Sequence, residues 1–117
     1  MRRTFVEFVG VTRVLKEHGV SDDSLLTMQT GIIHGQGVVM AGTAGLRKIR
    51  CGTRGTGKSG GIRVIYADYP DLGLCLLVAA FAKNVKGNLT KAEQNDLAVL
   101  KIKLDAQMRQ RFAKTRK

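Results

Sequence analysis

The sequence predicts an α+β fold with elements in the order β-α-α-β-β-β-α. Three consecutive β-rich segments with short connections predict an antiparallel meander sheet. Two helical periodicities precede these segments, and one capped helical segment follows them. We expect the helices to pack on one face of the sheet and to leave the other face partly open. The length of 117 residues, without a repeat or a linker, predicts a single domain over residues 1–117.

The N-terminal part of the chain predicts one strand followed by two helices. The apolar, β-rich stretch 4–9 predicts the strand, and Gly10 is expected to end it. Apolar residues at helical spacing then predict a first helix that ends at Gly19. Ser21 is placed to cap the second helix. The glycine-rich chain beyond it is irregular, except for a short strand near residues 38–40.

The second half of the chain supplies the meander and the last helix. Strands are predicted at residues 46–51, 62–69 and 74–82, and the third is apolar on both faces, which indicates a central position. Thr90 and Glu93 have the spacing of a capping box that opens a helix. The apolar stripe of this helix is Leu97, Leu100, Leu104 and Met108. The basic tail, residues 109–117, is expected to fray.

The positive charge is concentrated in the second half of the chain. The protein has 20 Lys and Arg against 9 Asp and Glu, a formal net charge of +11. Basic and acidic side chains cancel over residues 1–46, whereas residues 47–63 hold basic residues and no acidic one. Such a block favours a polyanionic partner, and nucleic acid is the commonest in the cytoplasm. A solvated basic surface is the alternative.

Composition also excludes several classes of protein. The longest apolar run, residues 74–82, is far shorter than the roughly 20 residues of a membrane-spanning helix. Two cysteines, Cys51 and Cys75, are too few for a disulfide framework or a zinc site. We therefore expect a reduced cytoplasmic protein with no membrane association, no metal and no cofactor.

A phosphate-binding P-loop motif occurs in the sequence, but its surroundings argue against that function. Residues 52–59 match G-x-x-x-x-G-K-[ST] in full. A P-loop needs a helix after the motif, whereas two glycines and a strand pattern follow here. The same residues are better interpreted as a long hairpin tip that presents Arg54 and Lys58.

Strand periodicity brings several basic residues together. Lys48 and Arg50 are two residues apart, so they share one face of their strand. If the hairpin register places Arg63 beside them, one open sheet face carries three cations, with Arg54 and Lys58 at its rim. Such a face would bind phosphate and stabilise the negative charge that develops in phosphoryl transfer.

These residues resemble the RelE/HigB toxins of bacterial toxin–antitoxin systems. The resemblance is carried by Gly-Thr-Ala-Gly-Leu-Arg-Lys-Ile-Arg at 42–50, by the hairpin end at 57–66, and by Ala-Lys-Asn at 82–84. It extends over about residues 4–112 and includes the order of the elements. It implies a toxin that enters the ribosomal A site and inhibits translation by cleaving mRNA without metal. In that chemistry the RNA 2′-OH attacks the adjacent phosphate.

The resemblance also implies roles for individual residues. Lys48 and Arg50 correspond to the basic pair that contacts RNA and assists proton transfer, and Arg63 corresponds to the arginine that stabilises the phosphate. The implied RNA-binding residues are Arg47, Arg54, Lys58 and Lys83. The family's second arginine and its tyrosine are replaced by Asn84 and Thr90, so the resemblance assigns no general base. The implied partners are the ribosome with its mRNA and a cognate helix-turn-helix antitoxin, and the free toxin is expected to be a monomer.

Two other functions stay open at this point. One is a non-catalytic basic module that binds RNA or DNA, such as a degenerate family member. The other is a relative that keeps the fold but inhibits DNA gyrase. Neither histidine suggests a ribonuclease pair, because we expect His18 to be packed and His34 lies in an irregular loop. Tyr66 is expected to pack in the core, and the aromatic residues are not interleaved with the basic block, which argues against a general stacking platform.

Overall fold

The computed structural model of this chain describes residues 2–53, 61–82 and 89–115, and it describes side chains up to Arg111. The elements are β1 (Thr4–Glu7), α1 (Val9–Glu17), α2 (Asp22–Ile33), β2 (Val38–Val39), β3 (Arg47–Cys51), β4 (Ile62–Tyr69), β5 (Leu74–Ala82) and α3 (Lys91–Thr115). A single 3-10 turn, Pro70–Leu72, connects β4 to β5. The order confirms the predicted α+β succession, and β2 is the short strand expected near residues 38–40.

The sheet has the strand order β1-β5-β4-β3-β2. Strands β3, β4 and β5 pair in antiparallel fashion and form the predicted meander. Strand β5 lies between β1 and β4, which confirms the interior position that its apolar sequence indicated. β1 pairs with β5 in parallel, because α1 and α2 carry the chain away before the meander begins.

The helices cover both faces of the sheet, which corrects the expectation that they pack on one face. Alternate residues of β4 point to opposite sides. Val64 and Tyr66 join a core cluster with residues of α1 and α2, whereas Ile65 and Ala67 join a second cluster with Leu104 and other residues of α3. The physical reason lies in the central strands: β4 and β5 are apolar on both faces, so each face needs an apolar cover.

The first strand is shorter than predicted, and Gly10 does not end it. β1 stops at Glu7, and Phe8 has the extended conformation of an N-cap, with φ −68° and ψ 154°. Its carbonyl oxygen accepts hydrogen bonds from the backbone N–H groups of Val11 and Thr12. Gly10 therefore lies in the exposed first turn of α1, where a missing side chain removes no packing contact.

The predicted caps of the other two helices are confirmed. The Ser21 hydroxyl accepts a hydrogen bond from the backbone N–H of Ser24 at 3.1 Å and begins α2. Thr90 and Glu93 exchange two hydrogen bonds at the start of α3. That helix continues to Thr115, so residues 109–115 of the tail are helical, in contrast to the frayed end that we expected.

The topology excludes a nucleotide-binding P-loop. Strand β4 begins three residues after Ser59 and pairs antiparallel with β3, the strand that precedes the motif. A P-loop would place a helix at this point. Gly61 closes the hairpin with φ +110°, and a Cβ atom there would stand 2.8 Å from the carbonyl oxygen of Cys51. Within the described ranges, no helix combines the length and the apolar character that a membrane crossing requires.

Candidate functional site

Lys48, Arg50 and Arg63 lie on the same face of the sheet. Arg50 stands directly opposite Arg63 across the β3–β4 pair, and Lys48 stands opposite Ile65. Directly opposed residues of an antiparallel pair have Cα atoms about 4.5–5.5 Å apart. Lys48 and Arg50 are exposed, and Arg63 is partly buried. The register therefore brings together the three basic residues that strand periodicity had singled out, and we call them the basic triad.

The triad shares its face of the sheet with α3. Leu104 and Met108 of α3 pack on Ile65, Ala67 and Leu76. Ala67 lies toward the end of the sheet where β4 finishes and Arg63 toward the end where β4 begins, while Ile65, between them, is the strand partner of Lys48. The core cluster of α3 thus reaches the strand partners of Lys48 and Arg63, while the side chains of Lys48 and Arg50 themselves are exposed.

The residues paired directly with Lys48 and Arg63 in the described strands carry no acidic side chain. Across the described strands, Lys48 stands between Val38 and Ile65, and Arg63 stands between Arg50 and Phe81. None of these neighbours is acidic. Like charges that face each other across two strands destabilise a sheet. An anion bound between two guanidinium groups offsets repulsion between them, and a phosphate group fits the bidentate geometry of a guanidinium.

Asp68 of the sheet and Asp105 of α3 each have basic partners of their own. Asp68 lies on the face covered by α1 and α2, where its carboxylate accepts two hydrogen bonds from Arg3 at 2.9 and 3.2 Å. Asp105 of α3 accepts hydrogen bonds from Lys101 at 2.8 and 2.9 Å and from the hydroxyl of Tyr69 at 2.7 Å. Both networks lie at the far end of the sheet from the triad.

Arg47 does not join the triad. It precedes Lys48, so its side chain leaves the opposite face of β3, on the side of α1 and α2. Its Nη1 donates a hydrogen bond to the carbonyl oxygen of Gly37 at 3.1 Å. Tyr66, its strand partner, is 1% exposed and belongs to the core, which confirms the packing interpretation. Burial raises the pKa of Tyr66 to about 12.

The other basic residues assigned to RNA binding are not placed by the structure. Arg54, Lys58 and Lys83 lie outside the described residues, as does Asn84. Thr90, at the position where the resemblance led us to expect a tyrosine, is the N-cap partner of Glu93 at the start of α3. Its hydroxyl oxygen is therefore used in the helix cap.

Phe81 is a neighbour of the triad that sequence reasoning missed. It stands directly opposite Arg63 on β5, and its partly buried side chain packs against the core on the α3 face. In the sequence it lies 18 residues after Arg63, so the absence of aromatics within the basic block concealed it. The pairing of β4 with β5 was the only signal that could have found it.

The histidines do not form a site. His18 and His34 are the C-terminal caps of α1 and α2, and both are exposed, so the expectation that His18 is packed was wrong. Among the residues that the structure describes, no group of three or more His, Cys, Asp or Glu side chains could hold a metal ion.

Comparison with known protein families supplies the identity. The family model for the RelE toxin of the RelE/RelB toxin–antitoxin system matches residues 4–117. That range contains every helix and strand of the fold, together with the triad and Phe81. With nearly the whole chain matched and the expected succession of elements present, this protein belongs to the RelE toxin family.

Proposed function

We propose that this toxin is a metal-independent endoribonuclease that cleaves mRNA in the ribosomal A site and thereby stops translation. The observation that supports this proposal most directly is the basic triad, in which Lys48, Arg50 and Arg63 share one face of the sheet. A phosphodiester that lies on this face meets three cations from two adjacent strands. The side chains of Lys48 and Arg50 are exposed, so an RNA strand can reach them.

The proposed reaction is an attack of the RNA 2′-oxygen on the adjacent phosphorus. The new P–O2′ bond forms as the P–O5′ bond breaks, which leaves a 2′,3′-cyclic phosphate on one fragment and a 5′-hydroxyl on the other. Negative charge builds up on the phosphoryl oxygens in the transition state, and groups placed to meet that charge lower the barrier. Arg50 and Arg63 supply such groups.

Of the three triad residues, Lys48 is the one that can transfer a proton. An arginine stays protonated in proteins and cannot act as an acid or a base, whereas a lysine ammonium can donate a proton. We assign to Lys48 the protonation of the leaving O5′. The group that removes the 2′-OH proton is not assigned to any residue of the triad.

The proposal includes partners and a compartment. RelE toxins pair with RelB antitoxins, and we propose that a cognate helix-turn-helix antitoxin silences this chain. The substrate, mRNA bound to the ribosome, places the toxin in the cytoplasm. We propose that the free toxin acts as a monomer, because the triad comes from two strands of one sheet.

Substitution of Arg63 tests the proposal. In ribosomes programmed with a defined mRNA, we expect Arg63→Ala to lower the cleavage rate by about 10²- to 10³-fold, the usual cost of removing one group that stabilises transition-state charge. Arg13→Ala is the matched control, since it removes the same side chain from an exposed position on α1, across the sheet from the triad. Circular dichroism checks that both variants are folded.

The outcomes separate the candidate functions. Cleavage by Arg63→Ala at the wild-type rate would show that the triad is not the active site. Wild-type protein that binds the ribosome without cutting the mRNA would indicate a binding module. Intact mRNA together with DNA damage in cells would indicate a gyrase inhibitor.

A further inference from the structure

The basic triad has an aromatic side chain beside it. Phe81 is the strand neighbour of Arg63 on β5, and the two side chains leave the same face of the sheet. Across the pair of β3 and β4, Arg63 is also the neighbour of Arg50. Three adjacent strands therefore present two guanidinium groups and a phenyl ring in one row, in the order Arg50, Arg63, Phe81.

We propose that Phe81 stacks on the base of the nucleotide next to the cleaved phosphate. This inference deepens the proposed function and rests on it. A ribonucleotide connects its phosphate to its base through a single sugar, so a phosphate held at Arg63 brings a flanking base to the residue beside Arg63. Directly opposed residues have Cα atoms about 4.5–5.5 Å apart, within the reach of an aromatic ring.

The burial of Phe81 suits a stacking surface. Part of the ring packs against the core on the α3 face, and the remainder is open to solvent. The packed part fixes the plane of the ring before RNA binds, so little side-chain freedom is lost on binding. The exposed part offers apolar surface to any base, because every base has a π-face.

Other aromatic side chains in the described part of the chain are poorly placed for this role. Tyr66 is buried on the opposite face, and Phe5 of β1 packs in the same cluster as Tyr66. Tyr69 lies at the far end of the sheet, where its hydroxyl binds Asp105. Phe8 is the N-cap of α1. Phe81 is thus the aromatic residue that the described structure sets beside the triad.

The test measures stacking and cleavage separately. The probe is an mRNA on the ribosome that carries 2-aminopurine at one A-site position at a time, because stacking quenches the fluorescence of 2-aminopurine. The same mRNA has 2′-deoxyribose at the cut nucleotide, so that the toxin does not cleave it. We expect wild-type toxin to quench the probe at one position and Phe81→Leu to abolish that change. On cleavable mRNA at limiting toxin, we expect Phe81→Leu to reduce the cleavage rate by about 5- to 150-fold, the range for loss of one base–aromatic stack.

Control variants distinguish stacking from a loss of packing. Phe81→Tyr keeps the ring and should retain both signals. Phe5→Leu makes the same substitution at a partly buried position of the opposite face and should leave both signals unchanged. At saturating toxin, the cleavage rate of Phe81→Leu should approach that of wild type, because stacking positions the RNA and takes no part in bond breaking. A purely structural role would not give this split.

Each outcome bears on one proposal or the other. Unchanged quenching and cleavage in folded Phe81→Leu would overturn the stacking role while the endoribonuclease proposal stands. If Phe81→Leu does not fold, the wild-type signal decides, and absence of quenching at all three A-site positions overturns the stacking role. Quenching that depends on Phe81 in a protein that cuts no mRNA would support stacking and overturn the proposed catalysis.

Discussion

Asp105 of α3 connects the Tyr69 hydroxyl and the Lys101 ammonium in one hydrogen-bond network. Its carboxylate accepts hydrogen bonds from the Tyr69 hydroxyl at 2.7 Å and from the Lys101 ammonium at 2.8 Å. Burial acts to raise the pKa of Asp105, but the hydrogen bonds from Lys101 and Tyr69 outweigh it, so the pKa is lowered from 3.8. Burial, followed by the bond to Asp105, raises the pKa of Tyr69 above its ordinary value.

These shifts predict a pH dependence of stability. A carboxyl group whose pKa is lowered by folding contributes stability above its unfolded pKa and loses it as the pH falls through the folded pKa. We therefore expect the free energy of unfolding of the wild type to decrease as the pH falls below 3.8, and we expect Asp105→Asn to flatten this decrease. Urea denaturation at a series of pH values measures it.

Asp71→Asn is the control for that series, because it removes one carboxylate from the exposed turn between β4 and β5. Its profile should keep the acid decrease of the wild type. If the Asp105→Asn and wild-type profiles were parallel between pH 5 and pH 2, the network around Asp105 would contribute nothing to acid stability.

At the level of single residues, periodicity predicted one part of the site and could not predict another. The spacing of Lys48 and Arg50 predicted their shared face, which is confirmed. The position of Phe81 beside Arg63 could not be predicted from periodicity, because β5 contains an irregularity. Tyr69 pairs with Leu74 and Tyr66 with Leu77, but the register shifts between Ile65 and Tyr66 and leaves Val78 as an extra residue. Without this bulge, Ala80 would face Arg63.

Among the elements, α3 has an N-terminus that is determined by local chemistry. The backbone N–H of Thr90 donates to Oε1 of Glu93 at 2.8 Å, and the Thr90 hydroxyl accepts from the N–H of Glu93 at 3.1 Å. This capping box satisfies two backbone donors that a helix end otherwise leaves open. The capping box therefore fixes the residue at which α3 begins.

Removal of this cap should cost stability and leave the chemistry intact. We expect Thr90→Ala to lower the free energy of unfolding by about 1 kcal/mol, within the usual range for a lost N-cap. Thr90→Ser keeps the hydroxyl and should behave as wild type in urea denaturation. Mutant protein that is as stable as wild type but cuts mRNA as poorly as Arg63→Ala would instead place Thr90 in the active site.

The predicted elements were most accurate where local signals agreed with packing. The bounds of β4 and β5 are those predicted, because β5 is a continuous apolar run and β4 is rich in β-branched and aromatic residues, each between turn residues. The start of α1 was wrong because glycine suggested a break, whereas the carbonyl of Phe8 nucleates the first turn. Local sequence also does not determine which face of the sheet receives α3, since both faces of β4 are apolar.

At the scale of the whole molecule, different helices cover the two faces of the sheet. The charge-balanced first 46 residues supply α1 and α2, which cover one face of the sheet. On the other face, α3 packs with residues of β4 and β5 in a second core cluster. The basic triad lies on this same face, where Lys48 and Arg50 are exposed and Arg63 is partly buried. The charge distribution predicted a polyanionic partner, and the register of β3 and β4 was needed to bring Arg63 beside Arg50.

The 2′-oxygen of the cut nucleotide gives the most direct test of the proposed mRNA cleavage. If the RNA 2′-oxygen is the nucleophile, an mRNA with 2′-deoxyribose at the cut nucleotide should resist cleavage by the wild-type toxin on the ribosome, whereas the all-ribose mRNA is cut and ends in a 2′,3′-cyclic phosphate. Deoxyribose at a neighbouring position is the control and should leave cutting intact. Cleavage of the deoxy-substituted mRNA at the same bond and rate would contradict phosphoryl transfer to the 2′-oxygen on the Lys48, Arg50 and Arg63 face.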